Sequence, residues 1–187
     1  MGSKRGRDIG DFQRNRIEAW RILSGGILGM MVAMGIGRFA YTPILPLMER
    51  DLGLSHAEVG SLASFNYLGY LLGAVACSFF PGLLRSMPVN VGALAASITT
   101  TLFMGAFASP LWWGVLRFVA GVASAILFVV IAVEVTEALA KRGETRIGGA
   151  LYGGIGLGIA LSGLTVPRLD LINAPLLVRF WPTLRRT

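Results

Sequence analysis

The chain has 187 residues, a formal net charge of +7, 54% hydrophobic residues and only 14% charged ones. A soluble domain carries about a quarter charged residues, so an ordinary water-soluble globular domain is excluded. Nor does the positive charge point to nucleic acid, because six of the seventeen Lys and Arg residues fall in the first 21 positions, ahead of long uncharged runs.

In chain order, residues 1–21 carry Lys4, Arg5, Arg7, Arg14, Arg16 and Arg21. A basic flank before an apolar run is what a cytoplasmic N-terminal tail looks like. A cleaved signal peptide also begins basic, but here the apolar segment is longer and more such segments follow. No charged residue occurs from Val59 to Leu84, from Ser86 to Leu116, from Phe118 to Val133 or from Ile147 to Pro167. A bilayer-spanning helix needs about 20 mostly apolar residues. The expected architecture is an all-α membrane bundle over residues 22–166, with spans at about 22–46, 58–80, 89–108, 111–136 and 147–166.

The first span ends in "GIGRFAYTPILPLM", residues 35–48, which places Arg38 deep in an apolar run. A charge near the bilayer centre costs about 3 kcal/mol or more. Arg38 therefore either faces a cavity or the bundle interior, or snorkels to the headgroups. Pro43 and Pro46 are expected where the span ends or bends. The second span opens on Leu54-Ser55-His56-Ala57-Glu58, a helix start with Ser55 as N-cap and Glu58 three residues on. His56 is expected to cap or to be solvated.

Within the second span, Asn66 and Tyr70 are four residues apart and share a face, with Tyr67 beside them. These groups need partners in lipid; helix-to-helix hydrogen bonds and a cavity shared with Tyr41 are the two readings. The lone Cys77 reads as packing. Spans three and four are joined by little more than Ser109-Pro110, followed by Trp112 and Trp113 where interfacial aromatics are expected. Arg117 follows six residues after Leu111, roughly 9 Å along the helix. Arg38 lies at a similar depth, roughly 12 Å from Pro46. Both begin an Arg-Phe pair on helices of opposite direction, as an inverted repeat would place them.

Glu134, with Glu137 and Lys141 at helical spacings, is either an interfacial charge cluster or the proton-coupling carboxylate of these spans. The fifth span carries "GGALYGGIGLGIALSGL", residues 148–164. Its glycines lack the strand and βαβ context of a nucleotide loop. Gly149 with Gly153, and Gly154 with Gly158, instead give small-xxx-small faces for helix packing, with Tyr152 at that seam. No catalytic constellation, metal-ligand spacing or cofactor motif is present in the sequence, and neither a cofactor nor a metal is expected.

Orientation follows from the flanking positive charges. With the N-terminus inside, the inner segments hold the six tail residues, Arg85, and Lys141, Arg142 and Arg146, against Arg50 alone in the first two outer connections. Residues 167–187 break the pattern, with Arg168, Arg179, Arg185, Arg186 and three prolines.

Together "GIGRFAYTPILPLM", "LGLSHAEVGSLASFNYLGYLLGA", "LRFVAGVASAILFV" and "LYGGIGLGIALSG" resemble the first five helices of the major facilitator superfamily, and more narrowly its YbfB/YjiJ-type branch of bacterial transporters. The resemblance covers about residues 22–164. It implies transport of a small molecule across the bacterial cytoplasmic (inner) membrane, with the lipid bilayer and an unidentified substrate as partners, and no nucleic acid. It also implies that Arg117, followed four residues later by Gly121, is the buried, functionally sensitive arginine of the fourth helix. The basic loop of the superfamily is reduced to "FPGLLRSMP", and the Gly-Pro step of its antiporters is absent from the fifth helix.

The substrate-cavity candidates are Arg38, Tyr41, Asn66, Tyr67, Tyr70, Arg117 and Tyr152. The family resembled has twelve spans in two halves, so five spans lead to the expectation of a truncated or frameshifted, inactive form, or of a homodimer of half-transporters. The alternative is a non-transporting membrane protein with an assembly role. A frame change after Leu164 predicts further apolar spans in another reading frame of the downstream nucleotides; their absence from every frame contradicts it.

Overall fold

The computed structural model describes residues 2–39, 41–84, 86–104 and 109–180, with side chains described between 13 and 168 apart from 48, 51, 52, 83 and 84. All regular structure among these residues is helical. Five helical segments are long and apolar enough to cross a membrane: Gln13–Leu47, His56–Phe79, Met87–Met104, Pro110–Ala140 and Thr145–Arg168. The expected end of the third span at 108 and the last arginines, Arg185 and Arg186, lie outside the described residues, as does Arg85.

Helix α1 (Gly2–Met30) begins inside the basic segment. It enters the bundle earlier than residue 22, because Ala19 and Leu23 are already fully buried against Leu139 and Leu151. It then widens into a π-helical turn over Met31–Ile36. The Gly37 amide donates to the Val32 carbonyl at 2.8 Å and the Phe39 amide to the Met34 carbonyl at 3.2 Å, both five residues back. Such wide turns insert one extra residue and re-aim the helix beyond them.

The first span thus bends just before Arg38, and it ends at Leu47, beside Pro46. Pro43 and Pro46 sit within α2 (Tyr41–Leu52). Pro43, in the first turn, lacks an amide that would be unsatisfied anyway, while Pro46 leaves the Thr42 carbonyl without its helical donor. Gly53 closes α2 with a positive φ of 68°, where a side chain would be strained.

Helix α3 (His56–Phe79) starts with the capping box read from the sequence. The Ser55 hydroxyl accepts from the Glu58 amide, and the Ser55 amide donates to Glu58 Oε2 at 2.8 Å. His56 Nδ1 lies 2.8 Å from Glu49 Oε1, tying the end of α2 to the start of α3. A single-turn α4 (Pro81–Leu84) leads into α5 (Met87–Met104). Pro110 takes the first position of α6 (Pro110–Ala140), where its missing amide costs nothing. A tight turn through Gly143, at φ 72°, and a 3₁₀ segment, Thr145–Tyr152, lead into α7 (Gly153–Phe180). This helix continues through Pro167 into the arginine- and proline-rich stretch that breaks the charge pattern.

Helix α6 is the hub. Its most extensive packing is with α3 and then α5, while α1 covers a third side and α7 packs on the π-helical turn of the first span. The α3–α6 crossing depends on missing side chains. A Cβ on Gly121 would lie 2.9 Å from the Tyr70 nitrogen and overlap the Asn66 carbonyl; one on Gly73 would lie 2.9 Å from the Ala125 Cβ. In the α1–α7 crossing Gly35 and Gly158 meet backbone to backbone, and Gly154 abuts Ile27. Gly154 and Gly158 therefore do pack as expected. Gly149 and Gly153 do not: added side chains there would meet open space, because the chain enters α7 from a 3₁₀ segment whose rotation turns them away.

One end of the bundle is tied electrostatically. Arg142 Nη2 lies 3.3 Å from Glu18 Oε2, and Arg16 Nε lies 3.9 Å from Glu144 Oε1. Exposed pairs of this kind contribute about 1 kcal/mol or less each, so the glycine crossings outweigh them in fixing the fold. Placing a side chain at Gly121 is expected to destabilise by about 1–3 kcal/mol or more. Gly121→Val should therefore lower the melting temperature in detergent and the yield of monodisperse protein. Gly163→Val, at an open position of α7, should stay within about 0.5 kcal/mol. Equal behaviour of the two variants contradicts the crossing.

Candidate functional site

The seven cavity candidates divide into two groups, each built around one arginine. The first surrounds Arg38, which is half-buried. Its guanidinium carbon lies 3.9 Å from the Tyr70 ring centroid, 5.3 Å from Tyr67 and 5.5 Å from Phe39. All three are within the roughly 6 Å reach of a cation–π contact. From Tyr70 the ring contacts continue to Phe128 on α6, at 6.5 Å between centroids, and from Phe128 to Tyr152 at 6.1 Å. One aromatic row thus runs from the first span through α3 and α6 to the entry of α7. Tyr67 and Tyr152, 61% and 48% exposed, form its open ends. Tyr152 stands against α6 here, rather than at the glycine seam, because the 3₁₀ turn carries it past the α1–α7 crossing.

The second group is closed. Arg117 is 4% exposed, so it does not snorkel. Its guanidinium carbon lies 4.1 Å from the Tyr41 ring centroid, and its Nε and Nη2 point at the thioether sulfur of Met104. Asn66, also buried, donates from Nδ2 to the Arg117 carbonyl at 2.9 Å. The bond bridges α3 and α6 one turn from the Gly121 crossing. Trp113 is buried beside Tyr41 and Leu62, and its Nε1 donates to the Met104 carbonyl at 3.1 Å. Trp113 is therefore an interior residue rather than an interfacial one, since it closes the α5–α6 hairpin from within. Trp112 is the exposed member of the pair. The Tyr41 hydroxyl is buried with no hydrogen-bond partner among the described residues.

Tyr41 contacts Arg117 whereas Tyr67 contacts Arg38, and the two arginines have different surroundings: Arg38 is half-buried beside the exposed Tyr67, Arg117 is in the interior. Glu134 joins neither group. It is exposed on α6, six residues beyond Phe128, which puts it roughly 9 Å along and about 240° around the helix. Cys77 is buried, as packing requires.

Three residues of these groups were missed in the sequence. Phe128 carried a signal, lying eleven residues from Arg117, close to three full turns, and so on a similar face. Trp113 lies four residues before Arg117 and carried the same kind of signal. Met104 carried none, because an apolar thioether in an apolar span is indistinguishable from packing.

A bundle with five helices long and apolar enough to cross a membrane, held by glycine crossings and with a polar aromatic face on one side, is the architecture of a multi-pass membrane protein. The sequence matches, over residues 30–182, the family described as uncharacterised MFS-type transporter YbfB, and the chain belongs to that family of the major facilitator superfamily. The match continues past Leu164, where the resemblance read from the sequence stops. No curated protein and no solved structure matches the chain.

The buried bridge and the open row respond differently to truncation. Asn66→Ala is expected to destabilise the bundle by about 0.6–2 kcal/mol, the range for interhelical hydrogen bonds in membranes. Tyr67→Ala, at an exposed position, should stay within about 0.5 kcal/mol. Reversible unfolding in mixed micelles measures both; a larger loss for Tyr67→Ala contradicts the assignment.

Proposed function

We propose that the chain takes part in moving a small molecule across the bacterial cytoplasmic membrane, with its N-terminus on the cytoplasmic side. On this reading the Arg38 row is the wall the substrate touches. The observation that carries it is the composition of that one face. Most of the exposed bundle surface is apolar, as at Leu68, Leu72, Ile98, Leu102 and Leu161, which suits contact with lipid. The row instead carries a cation and three tyrosines on three different segments of the chain, joined through Phe128 on a fourth. Ionisable and polar groups within spans generally face water-filled cavities or other protein.

Alternating access needs a second helical bundle rocking against this face about a midplane site, and a second copy of the chain would supply one. The topology is supported by the positive charge of the N-terminal flank and by the ion pairs that hold it to the α6–α7 turn at one end.

Two measurements test this reading. An alkaline phosphatase reporter inserted after Gly53 should be active, and one inserted after Gly143 inactive; the reverse pattern contradicts the topology. In a panel of uptake and efflux assays, the wild-type chain should move at least one compound. Arg38→Gln, present in the membrane at equal abundance, should reduce that flux to background. Unchanged flux in the variant, or no flux with the wild type, contradicts the transport role.

A further inference from the structure

Three of the described arginines place donors on a carboxylate or a sulfur. Arg142 and Arg16 meet Glu18 and Glu144, and Arg117 is enclosed with two of its nitrogens on the Met104 sulfur. Arg38 is different. Its guanidinium lies among rings, with the Tyr70 side chain also in hydrogen-bond reach, and among the described residues no carboxylate pairs with it. Aromatic faces satisfy the charge of a guanidinium but do not supply the in-plane acceptors that its five N–H donors can use. The planar fork matches a carboxylate in two parallel hydrogen bonds.

Beside this fork lies the rest of the row. Tyr67 is exposed next to Arg38, and Phe128 leads to the exposed Tyr152. These rings offer flat apolar area with hydroxyls at its edge, suited to a planar body. A cation anchored at one end of an aromatic strip selects a ligand that is anionic at one end and unsaturated along its length.

We propose that Arg38 anchors a subsite for small aromatic carboxylates, with the carboxylate on the guanidinium fork and the ring against the exposed Tyr67. The assignment rests on the reading of this face as the substrate wall, and it names the substrate class. Arg38 is then a binding and specificity residue, and the rings that stack on it hold its fork toward the ligand.

The test is equilibrium binding of radiolabelled benzoate to the purified full chain in phosphatidylcholine nanodiscs. Benzoate should bind saturably. Benzamide, with the same ring and no charge, and acetate, with the charge and no ring, should each compete about tenfold or more weakly. Arg38→Lys keeps the charge but loses the fork, and should weaken benzoate by about tenfold; Arg38→Gln should abolish binding. If the Arg38 variants do not stay folded, Tyr67→Leu, at an exposed position, carries the test and should weaken benzoate while leaving acetate competition unchanged.

Absence of saturable benzoate binding overturns the proposal, as does equal competition by benzamide, or undiminished binding by a folded Arg38→Gln. Occupation of the fork by a lipid phosphate also overturns it; this would appear as loss of benzoate binding in nanodiscs containing phosphatidylglycerol. The outcome is separable from that of the transport assays. Benzoate binding without flux upholds the subsite and removes the transport role, whereas Arg38-dependent flux of a neutral or cationic compound upholds transport and removes the subsite.

Discussion

Lipid tails are as apolar as leucine, so the helices of this chain gain little by hiding leucines from their surroundings. What holds them is close approach, and close approach requires missing side chains. Two helix crossings meet that constraint. Gly121 lies against the Asn66–Tyr70 turn of α3, and Gly35 lies against Gly158 of α7. The tolerance at these points is small, since an added methyl at Gly121 would overlap the Asn66 carbonyl.

The crossings also decide which residues meet. With Gly121 seated on the Asn66–Tyr70 turn, Asn66 faces α6 and reaches the Arg117 carbonyl. The same seating puts Tyr70 beside Phe128. On the other side, the π-helical turn just before Arg38 absorbs one residue, and Arg38 comes to lie on Tyr70. The second crossing seats α7 against that turn, and the 3₁₀ segment preceding it brings Tyr152 to Phe128. One arginine is thus enclosed by Tyr41, Met104 and the neighbouring Trp113, while the other is left at an open face. The enclosed one behaves as a packing element whose charge is held by a ring and a sulfur. The open one retains donors that a ligand can use.

Much of this was legible in the sequence. The spans follow from uncharged runs of bilayer length, and the start of α3 follows from Ser55 and Glu58. The shared face of Asn66 and Tyr70 follows from their spacing. The rest depends on helix rotation, which spacing alone does not set. Trp113 reads as an interfacial aromatic until α5 is placed beside it. Gly149 and Gly153 have the same spacing as Gly154 and Gly158, yet the 3₁₀ entry to α7 turns only the second pair toward α1. The prolines of "TPILP" mark the end of the span at Leu47, whereas the earlier π-helical turn in "MVAMGI" has no comparable mark in sequence. Phe128 escaped notice because a phenylalanine in an apolar span is usually lipid-facing or packed.

The central claim is that the face bearing Tyr67 and Tyr152 lines a water-accessible path, whereas the faces bearing Leu68 and Ile98 meet lipid. It is tested most directly by single cysteines at these four positions in a Cys77→Ala background, labelled in native membranes with a membrane-impermeant thiol reagent. The account predicts rapid labelling of Tyr67→Cys and Tyr152→Cys and little labelling of Leu68→Cys and Ile98→Cys. Equal rates at all four positions, or faster labelling at Leu68 and Ile98, would contradict it.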